Sequence, residues 1–161
     1  MIDLGQLREY VLRPSLLRIG RWSQAAENLV FGTGLVESGY VFLDQTTRGP
    51  GPAYGFWQME EPTHFDLWTN FLPGQPSALR EVMMTMAGHG SSLSPPVETL
   101  HGNLFYAAAM CRVQYLRARP PLPAADDFAG MAAYWKQFYN TPKGAGTIER
   151  AIPYFRQAVY P

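Results

Sequence analysis

The sequence predicts a mainly helical α+β protein with about six to eight helices and a small loop or hairpin region after the helix that ends near Glu37. Apolar residues recur at helical spacing in several segments, whereas residues 44–55 are rich in Gly, Pro and Thr and cannot form a long helix. The length of 161 residues and the apolar fraction of 47% suit one packed core. We therefore expect a single domain over residues 1–161.

The N-terminal part of the chain predicts two helical segments. Residues 4–19 are helical in pattern, and Pro14 is expected to start a second helix or to kink the first. Ser23 is a favourable N-cap for the next helix. Gly32 and Gly34 lower helix propensity within it, by about 1 kcal/mol each relative to Ala. They would also allow another part of the backbone to approach closely.

The middle of the chain alternates turns with short helices. Residues 44–55 predict a loop or a small hairpin. Thr63 is expected to cap a short helix that ends at Phe71, and residues 78–88 carry a further helical pattern.

The C-terminal half predicts three more helices. Residues 102–118 give the clearest amphipathic pattern, and Cys111 lies on its apolar stripe as an expected core thiol. Asp126 and Thr147 are the expected N-caps of the last two helices.

The composition excludes several classes of function. Thirteen basic and thirteen acidic residues cancel, so no overall field would attract nucleic acid. No apolar run approaches the roughly 20 residues of a membrane helix, and the N-terminus shows no signal-peptide pattern. We expect synthesis in a cytoplasm, no membrane insertion and no nucleic-acid partner.

Cofactor and metal sites are not expected either. A single cysteine offers neither a disulfide framework nor a structural zinc site. His64, His89 and His101 are scattered and show no ligand spacing. A Ser38–His64–Asp66 triad lacks the Gly-x-Ser-x-Gly elbow that would support it.

Glu37 is the strongest candidate for chemistry. It shares a predicted helix face with Val30, Thr33 and Gly34, which are apolar or small. Partial desolvation on that face would raise the carboxyl pKa. A carboxylic acid that stays protonated near neutral pH can protonate the leaving oxygen of a glycosidic bond. The alternative is an ordinary glutamate at a helix end that faces water.

The residues that follow Glu37 carry a family resemblance. Glu37-Ser38 ends the helix, a turn-rich stretch follows, and "GFWQM" then occupies residues 55–59. Together with "NLFYAAAMCRVQYLR" (103–117) and Tyr139-Asn140, this order resembles the goose-type lysozyme and lytic transglycosylase superfamily, and most of all its bacteriophage-encoded members. The resemblance spans about residues 23–146.

The sequence also departs from the family pattern. Phe56-Trp57 replaces the usual Leu-Met, Glu60 replaces Asp, and Thr141-Pro142 replaces the Ala-Gly that usually follows the Tyr-Asn pair. The sugar subsites and the hydrolytic outcome therefore stay open.

The resemblance implies roles for particular residues. Glu37 would act as general acid and then as general base. Glu60 would orient a water or stabilise positive charge on the sugar, unless it is only a first-turn acid of the next helix. The expected substrate-binding residues, each with a packing role as the alternative, are Ser38, Tyr54, Trp57, Gln58, Tyr139 and Asn140. Tyr40 is a further candidate for stacking on sugar.

The implied function is cleavage of the β-1,4 bond between N-acetylmuramic acid and N-acetylglucosamine in peptidoglycan, by transglycosylation or by hydrolysis. The alternative is an inactive lysozyme-like module that binds glycan or phage structural proteins within a virion. Chitin is a third possible substrate on such a fold. The expected site of action is the cell wall, which the chain would reach through a lysis pore or as part of a phage particle.

Overall fold

The chain forms a mainly helical fold with one small antiparallel hairpin, as the sequence predicts. The computed structural model describes residues 2–44, 52–90, 94–140 and 144–161. Most of the turn-rich stretch, the middle of the loop before α6 and Thr141-Pro142 lie outside the described residues. In chain order the helices are α1 (Leu4–Leu7), α2 (Arg13–Arg18), α3 (Gln24–Glu37), α4 (Glu61–Asp66), α5 (Ser77–Ala87), α6 (Thr99–Gly102), α7 (Leu104–Leu116), α8 (Phe128–Phe138) and α9 (Ile148–Val159).

Two pairs of helical segments are joined without a break. A π-helical turn at Arg8–Leu12 connects α1 to α2, and Pro14, the second residue of α2, has no N–H to donate to the preceding turn. A π-helical turn at Leu67–Phe71 and a 3₁₀ turn at Leu72–Gly74 extend α4. Counted as continuous rods, the described residues form eight helices, within the predicted range.

α3 is the central support of the candidate site. Ser23 caps it, because its hydroxyl accepts a hydrogen bond from Ala26 N at 3.0 Å, as predicted. Its two glycines face aromatic rings rather than another backbone: a Cβ at Gly32 would meet Phe155, and a Cβ at Gly34 would meet Tyr40. The close approach that the sequence suggested is therefore made by side chains.

The helix ends at Glu37 because the chain turns sharply after it. Gly39 and Tyr40 both have left-handed backbone conformations, with φ of 60° and 58°. The Ser38 hydroxyl accepts from Tyr40 N at 3.1 Å and donates to Phe56 O at 2.7 Å. These bonds fix the direction in which the chain leaves the helix.

A short hairpin follows at residues 53–60, so it overlaps only the end of the predicted stretch 44–55, most of which lies outside the described residues. β1 (Ala53–Tyr54) pairs antiparallel with β2 (Met59–Glu60), with Ala53 opposite Glu60. The connection uses left-handed conformations at Gly55 and Gln58, with φ of 72° and 47°. The hairpin brings residues 58–60 back toward the end of α3.

Two predicted caps are wrong. α4 begins at Glu61, not at Thr63, because β2 ends at Glu60 and Pro62 occupies the first turn, where proline is favoured. α8 is capped by Asp127, whose carboxylate accepts from Gly130 N at 2.8 Å, and not by Asp126, which lies in the preceding turn. The cap at Thr147 is correct, since its hydroxyl accepts from Arg150 N at 3.4 Å.

α7 runs through the middle of the core. It packs against α2, α3, α5 and α6, so that Tyr106–Val113 are buried on nearly every side. The predicted amphipathic pattern was wrong in this respect, because neighbours cover both faces of the helix. Cys111 is fully buried, as expected of a core thiol.

Candidate active site

Glu37 is the last residue of α3, and its half-buried side chain borders a cleft. Oε1 accepts a hydrogen bond from Trp135 Nε1 of α8 at 2.8 Å. Burial raises the pKa of Glu37 to about 7, although the Trp135 hydrogen bond favours the charged form and opposes this rise. The desolvation that the sequence predicted for this carboxyl is therefore present.

Neutral hydroxyl groups lie close to Glu37. The Tyr115 and Thr33 hydroxyls are hydrogen-bonded to each other at 2.7 Å, and the Tyr139 hydroxyl donates to Trp57 O at 2.7 Å. Within the described part of the chain, no arginine, lysine or histidine forms an ion pair with the Glu37 carboxylate. Without a cation to stabilise its charge, the carboxyl stays protonated to a higher pH than an exposed glutamate.

Two adjoining sides of a cleft border Glu37. One side has a volume of about 330 Å³ and includes Thr63 and Gln114, and the other has a volume of about 420 Å³ and includes Phe42 and Asp44. Five residues border both sides and mark their junction, namely Glu37, Gln58, Glu60, Asn140 and Gly144. A chain-like ligand that occupied both sides would pass beside the Glu37 carboxyl.

Glu60 is the second predicted carboxylate, and it borders both sides of the cleft. It is exposed at the end of β2 and is also the N-cap residue of α4, where its side chain makes no capping hydrogen bond. The hairpin register thus brings this carboxylate into the same cleft as Glu37. Its side chain is placed to meet a ligand or a water in the cleft.

Three predicted substrate-binding residues also border the cleft: Gln58, Tyr139 and Asn140. Gln58 donates from Nε2 to Gly55 O at 2.7 Å within its own turn. Asn140 Oδ1 accepts from Lys136 Nζ at 2.9 Å. The amides therefore have fixed positions on the wall of the cleft.

Four aromatic or hydroxyl candidates have packing or anchoring roles instead. Trp57 is only 1% exposed and donates from Nε1 to Val30 O at 2.9 Å, so its ring cannot stack on a sugar. Tyr40 is buried and donates to Phe31 O at 3.0 Å. Ser38 is buried and holds the Phe56 carbonyl, and Tyr54 packs on His101 with ring centroids 4.9 Å apart. None of the four borders the cleft, because the sharp turn after α3 directs them into the core or along the hairpin.

Several residues of the site have no individual signal in the sequence. Trp135 looks like one more apolar residue of the α8 stripe, yet it is the hydrogen-bond donor to Glu37. Phe42 and Asp44 border the cleft from the chain that leaves α3. Lys136 Nζ donates to Gly144 O at 2.7 Å as well as to Asn140, and so fixes two residues of the cleft wall. Phe42 and Asp44 could have been suggested only by their position close to Glu37 in the chain.

Histidine-based chemistry has no geometric support. His64 is buried, its Nε2 lies 2.7 Å from the Tyr106 hydroxyl, and burial lowers its pKa to about 4. Ser38 bonds backbone groups instead of His64. Across residues 2–44, 52–90, 94–140 and 144–161, no cluster of His, Cys, Asp or Glu could hold a metal ion.

Comparisons with known proteins return no match: neither family models, nor curated proteins, nor solved structures resemble the chain detectably. The lysozyme-like resemblance consequently rests on the motif residues themselves. In the described ranges, no helix has the length and apolar character needed to cross a bilayer.

Proposed function

We propose that this protein cleaves the glycan strands of peptidoglycan at the β-1,4 bond between N-acetylmuramic acid and N-acetylglucosamine. The observation that carries the proposal is the state of Glu37. Its carboxyl has a pKa of about 7 and lies at the junction of a cleft that continues on both sides. The motif order around Glu37, Gln58 and Tyr139 supplies the substrate class.

In the proposed first step, protonated Glu37 donates its proton to the glycosidic oxygen as the C–O bond breaks. The sugar then carries oxocarbenium-like positive charge, and Glu37 has become a carboxylate beside it. The Trp135 N–H stabilises that carboxylate, because it donates a hydrogen bond to Oε1. The amides of Gln58 and Asn140 are in position to hold sugar hydroxyl or N-acetyl groups.

In the proposed second step, the Glu37 carboxylate takes a proton from the attacking hydroxyl. If the 6-hydroxyl of the muramic acid attacks C1, the product is a 1,6-anhydro sugar and the reaction is a transglycosylation. If water attacks, the product has a reducing end, and Glu60 or Asp44 on the cleft wall would orient that water. Both routes use the same acid and base at position 37.

The proposal also includes where the protein acts. After synthesis in a host cytoplasm it would reach the cell wall as a lysis enzyme or as a component of a phage particle. Its charge balance implies that binding to the wall depends on contacts within the cleft more than on bulk attraction.

Clearing of purified peptidoglycan sacculi tests the proposal. The wild-type protein should reduce the turbidity of the suspension, and Glu37→Gln should not. Glu149→Gln serves as the matched control, because Glu149 is an exposed first-turn residue of α9. Mass spectra of the released fragments then separate anhydro from reducing ends.

Failure of wild type to clear sacculi across a range of pH and salt would overturn the enzymatic proposal. Retained co-sedimentation of that inactive protein with sacculi would instead identify a non-catalytic glycan-binding module.

A further inference from the structure

Three successive apolar side chains are exposed directly after the turn that ends α3. Val41, Phe42 and Leu43 have exposed fractions of 69%, 49% and 40%. Of these three, Phe42 borders the cleft beside Glu37. An exposed aromatic ring inside a cleft is unfavourable in water and is typical of a binding surface.

The chain holds this ring in place from both sides. On the N-terminal side, Tyr40 is buried, stacks on Phe31 with centroids 5.4 Å apart and donates to its carbonyl. On the C-terminal side, Leu43 O accepts from Gly55 N at 2.7 Å, and Asp44 forms a bridge with Tyr54 of β1. Because the backbone is anchored on each side of position 42, binding would cost mainly the side-chain rotation of Phe42.

The surroundings of Phe42 match a sugar ring. A pyranose has an apolar face of C–H groups and a polar edge of hydroxyls. On this side of the cleft Phe42 and Ala53 offer apolar surface, and Asp44, Gln58 and Asn140 offer acceptors and donors. An apolar peptide or a lipid chain would displace water from these polar side chains without offering them hydrogen bonds, so the combination favours carbohydrate.

Three small residues, Gly144, Ala145 and Gly146, also border this side of the cleft. Gly146 packs closely on Trp135, since a Cβ there would meet the indole, and Trp135 in turn donates to Glu37. Because none of the three has a long side chain, they take up little of the space beside Phe42.

We infer that Phe42 is the stacking platform of a sugar-binding subsite on this side of Glu37, adjacent to the position of bond cleavage. The inference rests on the proposed function, because it concerns the glycan that crosses the same cleft. The predicted ligand is an N-acetylated aminosugar of the strand, held by its apolar face on Phe42 and by its polar edge on Asp44, Gln58 and Asn140.

Binding of tetra-N-acetylchitotetraose, measured by calorimetry in a Glu37→Gln background, tests the inference without turnover. Phe42→Ala should weaken binding about tenfold, the size expected for one aromatic contact. Phe42→Tyr keeps the ring and should bind within about threefold of the parent, on the same scale. Phe105→Ala is the matched control: Phe105 is 41% exposed, at the start of α7, and does not border the cleft.

Kinetics on sacculi with active protein give an independent readout. Because stacking on Phe42 would be equal in the ground state and the transition state, Phe42→Ala should raise the half-saturating concentration of sacculi and leave the maximal rate nearly unchanged.

Two results would overturn the inference. Equal binding by the Phe42→Ala and parent proteins, with wild type still clearing sacculi, would contradict it and leave the proposed function intact. Absence of both binding and clearing in wild type would remove the proposed function and this subsite together.

Discussion

Glu27 and Glu37 lie near opposite ends of α3, Glu27 fully buried and Glu37 half-buried, and their surroundings shift the carboxyl pKa in opposite directions. Glu27 accepts hydrogen bonds from Arg8 Nε at 2.7 Å, Arg13 Nε at 2.8 Å and Trp22 Nε1 at 2.7 Å. Burial acts to raise the pKa of Glu27, but these bonds outweigh it and lower the pKa to about 2. Among the described residues, Trp135 alone donates a hydrogen bond to Glu37, so burial prevails and its pKa is about 7.

The difference shows that burial alone does not decide the charge of a carboxyl group. Two arginines make Glu27 a permanent anion, and Arg8 also donates to Ala158 O at 2.7 Å and thereby links the N-terminal helices to the end of α9. A single neutral donor leaves Glu37 able to gain and lose a proton near pH 7. The first arrangement stabilises the fold, and the second is suited to proton transfer.

Replacement of Glu37 by Gln is expected to have the largest effect on activity. The variant cannot donate a proton, so clearing of sacculi should fall by about a thousandfold or more. Glu27→Gln should retain the specific activity of whatever fraction stays folded. Comparable loss of specific activity in both folded variants would contradict the division of roles between the two glutamates.

Glu27→Gln is expected to have the largest effect on stability. It leaves Arg8 and Arg13 close together without their shared anion, and breaking a buried pair from one side costs about 3–5 kcal/mol. Urea unfolding at pH 7 should show this loss. Glu149→Gln, at an exposed position, should change the free energy of unfolding by less than about 0.5 kcal/mol.

The pKa values of Glu37 and Glu27 are shifted in opposite directions, so the two carboxyls should contribute to the pH dependence of stability with opposite signs. The pKa of Glu37 is raised from 4.5 to about 7 in the folded state. This carboxyl therefore does not lower the free energy of unfolding below pH 4.5, and it lowers it increasingly as the pH rises to 7. Relative to wild type, Glu37→Gln should therefore gain about 3 kcal/mol between pH 4 and pH 8. Urea unfolding at both pH values measures this difference in the free energy of unfolding. A difference between wild type and Glu37→Gln that is the same at both pH values would contradict the raised pKa.

The N-cap and the buried face of α3 were predictable because their signals are local. Ser23 bonds a residue three positions on, and the small or apolar neighbours of Glu37 lie within two turns of it on the same helix. The partners of the two glutamates were not predictable, because Trp135 lies 98 residues from Glu37 and Arg8 lies 19 from Glu27. Likewise Thr63 failed as a cap because pairing of β2 with β1, a contact between strands, determines where α4 begins.

The smallest effect is expected from Trp135→Phe. The indole N–H favours the charged form of Glu37, so its loss should raise the pKa and move the alkaline limb of the activity profile upward by about one pH unit. Trp68→Phe is the matched control, since Trp68 is another buried indole, which donates to the Tyr106 hydroxyl. It should lower stability without moving the profile, and a shift of equal size in both variants would contradict a direct bond to Glu37.

The central claim is that the Glu37 carboxyl is uncharged over much of the neutral range while Glu27 is not. Carbon-13 NMR titration of the glutamate carboxyl groups measures both, with the signals assigned from Glu37→Gln and Glu27→Gln. We predict a midpoint near pH 7 for Glu37 and no titration of Glu27 above about pH 3. A midpoint for Glu37 near 4.5, the ordinary value for an exposed glutamate, would contradict the account.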